Sequence, residues 1–378
     1  MTKQSTIWGV IFILVLVIGG VWVSKKSDTT TPVTPGNQEN IKIGSILILS
    51  GEGASWGEAA RNGIDLAVKE INEKGGVDGR MLEAVHEDDG SEPQKAISAL
   101  NKLTSFDKIK FIIGSSWSNT GIALIEPIKQ KGVVAISPSL GLKDFNESSD
   151  FIFNTWPHDY LLSQNLAQYV YDKGHRNVAL FGGNDVWIKD QTKAFTEKFT
   201  SLGGKITFLS EPLVTETDMR TEVAKVKNDK NIDAIVMTID GYGLTDIVAK
   251  RIKEFGIKLP AYSITIDRQI IKNCEGACEN LIFLTFLTPT TDFEQKYKTT
   301  YNREVEIGAD SAYDAVMMLA QAFRETKSTD PVIVKDYLNK ITNYSGASGE
   351  LVSDGQRAFT KPYLVKQVKN GEPVTITN

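Results

Sequence analysis

From Ile41 onward, short apolar runs alternate with longer stretches whose apolar residues recur at helical spacing. Ile41 to Leu49 is a continuous β-rich run, which reads as a strand buried on both faces. Ser50-Gly51-Glu52-Gly53 breaks it. Ala60, Ile64, Ala67, Val68 and Ile71 then fall on one face of a helix from about Trp56 to Glu73, which Gly75-Gly76 ends. The pattern predicts strands at Met81 to His86, Phe111 to Ile113 and Val133 to Ile136. Helices over Pro93 to Leu103 and Ile122 to Ile128 lie between them. The pattern then restarts with a helix around Leu161 to Tyr171 and a strand at Val178 to Phe181. Helix Thr192 to Leu202, strand Ile206 to Leu209, helix Met219 to Lys227, strand Ala234 to Thr238 and helix Leu244 to Phe255 follow. Near the end, Ala309 to Phe323 reads as a long helix and Tyr363 to Lys366 as a strand. Two such arrays in one chain predict an α/β fold of two Rossmann-like lobes with parallel sheets.

The N-terminus follows a different pattern. Lys3 precedes an unbroken apolar run from Ile7 to Val23, and Lys25 and Lys26 follow it. The run is about 17 residues long, at the lower limit for a membrane span and the long end for a signal-peptide core. It has no Ala-x-Ala-like cleavage site and no nearby cysteine for a lipid, which favours an uncleaved anchor in residues 1–26. A cleaved signal remains the alternative, and either places the remainder outside the cytoplasm. Residues 27–40, rich in Thr, Pro, Gly and Asn, have little to bury and read as a flexible tether. An extracytoplasmic, oxidising compartment permits a disulfide between Cys274 and Cys278, closing a small loop; two free thiols are the alternative.

Composition narrows the function. The chain has 378 residues, of which 41% are hydrophobic and 24% charged, a globular balance with room for about two domains. A net charge of -5 argues against a nucleic-acid partner. Two cysteines and three histidines are too few for a Cys/His zinc site. No Ser/His/Asp arrangement or phosphate-binding glycine loop is visible, so neither an enzyme nor a cofactor is expected. Asp88 and Asp89 are adjacent at a strand end and point to opposite sides, which suits structural hydrogen bonding rather than a shared metal. In open α/β sheets ligands sit beyond the carboxyl ends of the strands. The loops that matter are therefore 50–57, 114–120, 137–141, 182–188, 239–243 and 263–267.

These loops carry a resemblance. Gly51-Glu52-Gly53-Ala54-Ser55-Trp56-Gly57, Ile71-Asn72-Glu73-Lys74-Gly75-Gly76-Val77-Asp78-Gly79-Arg80 and Glu87-Asp88-Asp89 come first. Ile113-Gly114-Ser115-Ser116, Ile136-Ser137-Pro138 and Ser311-Ala312-Tyr313-Asp314-Ala315 follow. In this order the chain resembles the type I periplasmic binding proteins, in the branched-chain (Leu/Ile/Val) amino-acid binding family of ABC transporters. The resemblance implies a three-strand hinge, with lobe one at 41–158 plus 287–346 and lobe two at 159–286 plus 347–378. It implies reversible capture of a small polar solute, an amino acid or amide-like molecule, by a monomer that hands it to a membrane permease. A membrane-tethered ligand-sensing ectodomain is the alternative on the same fold; no second apolar run follows through Asn378, which favours transport.

The resemblance also assigns residues. Trp56 matches an aromatic against the ligand, and Ser118 a serine that binds its carboxylate with helix-start N–H groups. Ser139 matches a backbone contact, Trp187 an aromatic closing the cleft, and Trp117 is a candidate lining residue. Gly141 stands where amino-acid binders often carry a threonine hydroxyl. An ammonium therefore needs another acceptor. Asp240, with Tyr242 packing beside it, is the first candidate, and Asp267 the reserve.

Overall fold

The structure is a computed structural model that describes residues 39–51, 53–239 and 244–376. The expected anchor Ile7 to Val23, Asp240 and Tyr242 lie outside the described residues. Among the described residues, no helix is long and apolar enough to cross a membrane.

The first array is a five-stranded parallel sheet. Its strands are β1 (Ile41–Leu47), β2 (Leu82–Asp88), β3 (Phe111–Ile113), β4 (Val134–Ser137) and β5 (Ile152–Asn154), in the order β2-β1-β3-β4-β5. The connecting helices are α1 (Ala54–Glu73), α2 (Pro93–Asn101), α3 (Ser118–Lys131) and α4 (Lys143–Glu147). Every residue of β3 and β4 is buried, as expected of strands covered on both faces.

The second array runs α5 (Asp159–Asp172), β6 (Asn177–Phe181), α6 (Val186–Ser201), β7 (Lys205–Ser210) and α7 (Arg220–Asn228). It continues with β8 (Ala234–Met237), α8 (Leu244–Glu254), β9 (Ala261–Ile264), α9 (Arg268–Asn273) and β10 (Ile282–Thr285). The chain then returns to the first array with α10 (Thr291–Tyr301), α11 (Ala309–Thr326) and α12 (Pro331–Leu338). A small antiparallel sheet follows, of β11 (Asn343–Gly346), β12 (Gly349–Ser353) and β13 (Phe359–Thr360). Finally β14 (Leu364–Lys369) and β15 (Glu372–Thr375) join the second sheet antiparallel, giving the order β15-β14-β10-β9-β8-β6-β7.

α1 and α11 pack closely over the first sheet. A Cβ on Gly63 would lie 2.1 Å from the Ala309 carbonyl oxygen, so only glycine permits this approach. Residues 347–360 were expected with the second lobe, but their hydrogen bonds go to the first. The buried Asp314 of α11 accepts the N–H groups of Ala347 and Ser348 at 2.7 and 2.8 Å. Asn154 of β5 bridges Ala358, and the Arg357 guanidinium donates to the Asn146 carbonyl. A buried carboxylate must find donors, and this turn supplies them.

The chain passes between the two arrays three times, after β5, after β10 and after β13. At the third crossing Lys361 is buried. Its ammonium lies 3.4 Å from Asp310 of α11 and 5.1 Å from the ring centre of Trp156, at the first crossing. Two crossings are thus tied to each other and to α11.

Candidate functional site

The strands of both sheets end at one seam, and the loops beyond them line a recess. Each lining side chain sits at the start of a helix or just after a strand. Trp56 is in the first turn of α1, Trp117 directly precedes α3, and Trp187 is in the first turn of α6. Asp185 caps α6, accepting the Trp187 N–H at 2.8 Å and the Ile188 N–H at 3.4 Å, and so fixes where the Trp187 indole begins. Trp156 enters from the first crossing. Trp56 and Trp117 meet edge to face, with ring centres 6.3 Å apart and planes at 89°.

The polar lining falls into two sets. In one, Ser116 and Ser118 flank the start of α3, with Ser139 beyond β4. The Ser139 hydroxyl donates to the Ser116 carbonyl at 3.3 Å. The Ser116 hydroxyl is buried without a partner among the described residues, and so is that of Thr265, which follows β9. The first N–H groups of a helix lack partners within it, so this set offers donors to an anion.

The other is Asp159, the first residue of α5, only 3% exposed. Trp156 Nε1–H donates to its Oδ1 and Trp187 Nε1–H to its Oδ2, both at 2.8 Å. Its own N–H donates to the Gly141 carbonyl at 2.9 Å. Burial pushes its carboxyl up to about 7 against the pull of the two indole N–H groups, and the nearby Asp190 adds to the rise. A Cβ on Gly141 would lie 2.2 Å from Asp159 Oδ2. The carboxylate therefore occupies the space a side chain at Gly141 would need.

The sequence-derived candidates separate accordingly. Trp56, Trp117, Ser118, Ser139 and Trp187 line one recess. Gly141 lies beneath the Asp159 carboxylate. Asp267 stands outside that lining, in an adjoining recess at the seam. There its Oδ2 accepts Trp56 Nε1–H at 2.8 Å and the Ser55 hydroxyl at 3.4 Å, while Oδ1 caps α9 through Ile270 N–H at 2.7 Å. Beside it Arg268 pairs with Glu306 of the first array at 2.9 Å. Asp159 was missed, as were Ser116, Leu140, Trp156 and Thr265. The available signal was an acid opening a helix directly after a Trp-Pro-His run, at the expected first crossing. Asp88 accepts the Leu49 N–H, across from the end of β1, and the Gly90 N–H, and Asp89 accepts the Ser91 N–H, all backbone duties. Cys274 and Cys278 are joined as a disulfide.

This arrangement of two sheets, crossed connections and a seam recess has relatives. The family model "Periplasmic binding protein" matches residues 40–373. The chain belongs to the periplasmic binding protein family. The Leu/Ile/Val-binding protein BraC3 of Rhizobium johnstonii is 29% identical over 195 residues, and that match spans about half of each chain, 50% of this one and 52% of the other. The Leu/Ile/Val-binding protein homolog 2 of Brucella abortus is 25% identical over 349 residues, covering 88% of this chain and 91% of that protein. Among solved structures, the branched-chain amino acid transporter substrate-binding protein LivJ from Streptococcus pneumoniae, in complex with isoleucine, superposes with a TM-score of 0.82. It is 26% identical and covers 89% of this chain and 99% of that one. The two-lobed, parallel-sheet fold read from the sequence is that of this family, and the chain is a solute-binding protein.

Proposed function

We propose that this periplasmic binding protein serves an ABC importer outside the cytoplasm, closing its two lobes on an amino-acid-like zwitterion and delivering it to a membrane permease. The observation that carries the reading is the polarity of the recess. A buried carboxylate at Asp159 shares a cavity with the start of α3 and the Ser116 hydroxyl, which has no partner among the described residues. A zwitterion is the solute whose two charges suit a carboxylate and a set of N–H and hydroxyl donors in one recess. The bodies that move in this reading are 41–154 with 291–360, and 159–285 with 364–376. Residues 7–23 hold the protein at the membrane surface. The relatives' printed ligands, Leu, Ile and Val, are the first to try. The test is calorimetric titration of the full-length protein with the common amino acids and their amides and decarboxylated amines. A zwitterion should bind more tightly than either singly functional analogue. Ser118→Ala should weaken it about tenfold, the scale of a hydrogen bond to a charged group. Equal binding of the decarboxylated amine would remove the anionic half of the reading.

A further inference from the structure

The recess also bears on the kind of nitrogen that sits against Asp159. A primary ammonium presents three N–H donors and needs acceptors for them. Around Asp159 such acceptors are scarce. Each carboxylate oxygen already accepts an indole N–H, and the Gly141 backbone N–H takes up a further lone-pair site. Gly141 brings no hydroxyl, and its carbonyl is engaged by the Asp159 N–H. Much of the remaining wall is ring or hydrocarbon, from Trp56, Trp117, Trp187 and Leu140. Indole faces attract a cation electrostatically without hydrogen bonds, and an alkylated ammonium asks for none.

We propose that the ligand's cationic end is an N-methylated ammonium, seated among the indoles of Trp56, Trp117, Trp156 and Trp187 with the Asp159 carboxylate as its counter-charge. The inference rests on the recess being the solute site. Trp156 already carries the Lys361 ammonium over its ring, so its part is to hold the carboxylate through its N–H. The other three rings supply the cage. Trp56 and Trp117, held edge to face, form one corner of it. Trp187, tied to Asp159 through its own N–H, brings the cage and the charge together. Methyl groups also fill apolar space that a bare ammonium would leave wet.

The experiment compares glycine, leucine and phenylalanine with their N,N,N-trimethylated forms and with carbon isosteres in which a tert-butyl group replaces the trimethylammonium. Binding to the full-length protein is read by calorimetry. For at least one parent, the trimethylated form should bind tenfold or more tightly than both the parent and the isostere. If the parent amino acid binds as well or better, the N-methyl inference is overturned and the amino-acid reading stands. If the isostere matches the trimethylated form, the cage reads shape rather than charge, and the inference is overturned. If no member of any series binds, the inference and the zwitterion reading fall together.

Discussion

Two buried carboxylates, Asp159 and Asp267, stand in the seam between the lobes, and each accepts hydrogen bonds from tryptophan. Their remaining partners separate them. Asp267 spends one oxygen capping α9 and the other on Trp56 and Ser55, groups more than 200 positions earlier in the chain. It links the lobes and fills its own needs. Among the described residues Asp159 has only neutral donors, two indoles and the Gly141 backbone N–H, with no cation paired to it, and it lines a cavity. Burial therefore pushes its carboxyl up to about 7. A carboxylate left short of countercharge beside a recess is poised for a cation, whereas one engaged in a cap and a cross-lobe bond is a latch.

The largest expected effect breaks the first half of that contrast. Asp159→Asn keeps the shape of the recess and removes the charge. Amine-bearing ligands should lose 100-fold or more in affinity, in line with about 2–5 kcal/mol for truncating one side of a buried charged pair. The unliganded protein should also change. A carboxyl raised from 3.8 to about 7 favours the folded state below pH 4, and that contribution is lost as pH rises through about 7. Melting temperature should fall from pH 5 to pH 8 in the wild type and vary less in the variant, as calorimetric scans would record. Unchanged ligand affinity in Asp159→Asn would make Asp159 a structural acceptor of the same kind as Asp267.

Much of the frame behind this contrast was readable in the sequence, and the decisive residue was not. β3 lies at its expected span, and α1 ends where Gly75-Gly76 follows. Burial on both faces writes continuous apolar runs that need no tertiary knowledge. α3, expected from Ile122, begins at Ser118, because its first turn is Ser-Asn-Thr-Gly and carries no apolar period. α6, expected from Thr192, begins at Val186, set by the Asp185 cap rather than by hydrophobic spacing. α10 was missed because only Phe293 and Tyr297 of its residues are buried. Asp159 becomes a site residue only when Gly141 and Trp187 are folded against it. Asp267 was visible as a residue beyond a strand. Its bond to Trp56 depends on how the lobes meet, which spacing does not encode.

A smaller effect sharpens the contrast through pH. Ionised Asp159 is the form that meets a cation, so affinity for a cationic ligand should rise as pH rises through about 7. Between pH 6 and pH 8 the ionised fraction grows roughly tenfold, and the dissociation constant should fall by about the same factor. At pH 6 binding should release a proton, seen as a dependence of the calorimetric heat on the ionisation enthalpy of the buffer. The charge closest in effect is Asp190, itself raised by burial, so Asp190→Asn should shift the midpoint downward without abolishing the slope. A flat profile from pH 6 to pH 8 with a cationic ligand would mean that another acceptor meets the charge.

The smallest effect belongs to the latch. Asp267→Asn can keep Oδ1 on the Ile270 N–H and so preserve the cap of α9, while an amide nitrogen in place of Oδ2 cannot accept the Trp56 indole N–H. The substitution thus separates the cross-lobe bond from the local one. Losing one such bond costs about 1 kcal/mol, or roughly fivefold in affinity, by making the closed arrangement less populated. The loss is limited because Arg268 and Glu306, 2.9 Å apart, still tie the same seam. The ligand recess keeps its Asp159 charge, so the rise of affinity with pH should persist with the same midpoint. Small-angle scattering of the unliganded variant should give a larger radius of gyration than the wild type, and saturating ligand should erase the difference. If Asp267→Asn instead cost as much as Asp159→Asn and flattened the pH profile, the two carboxylates would have exchanged roles, and the cation would sit at the mouth of the seam against Trp56.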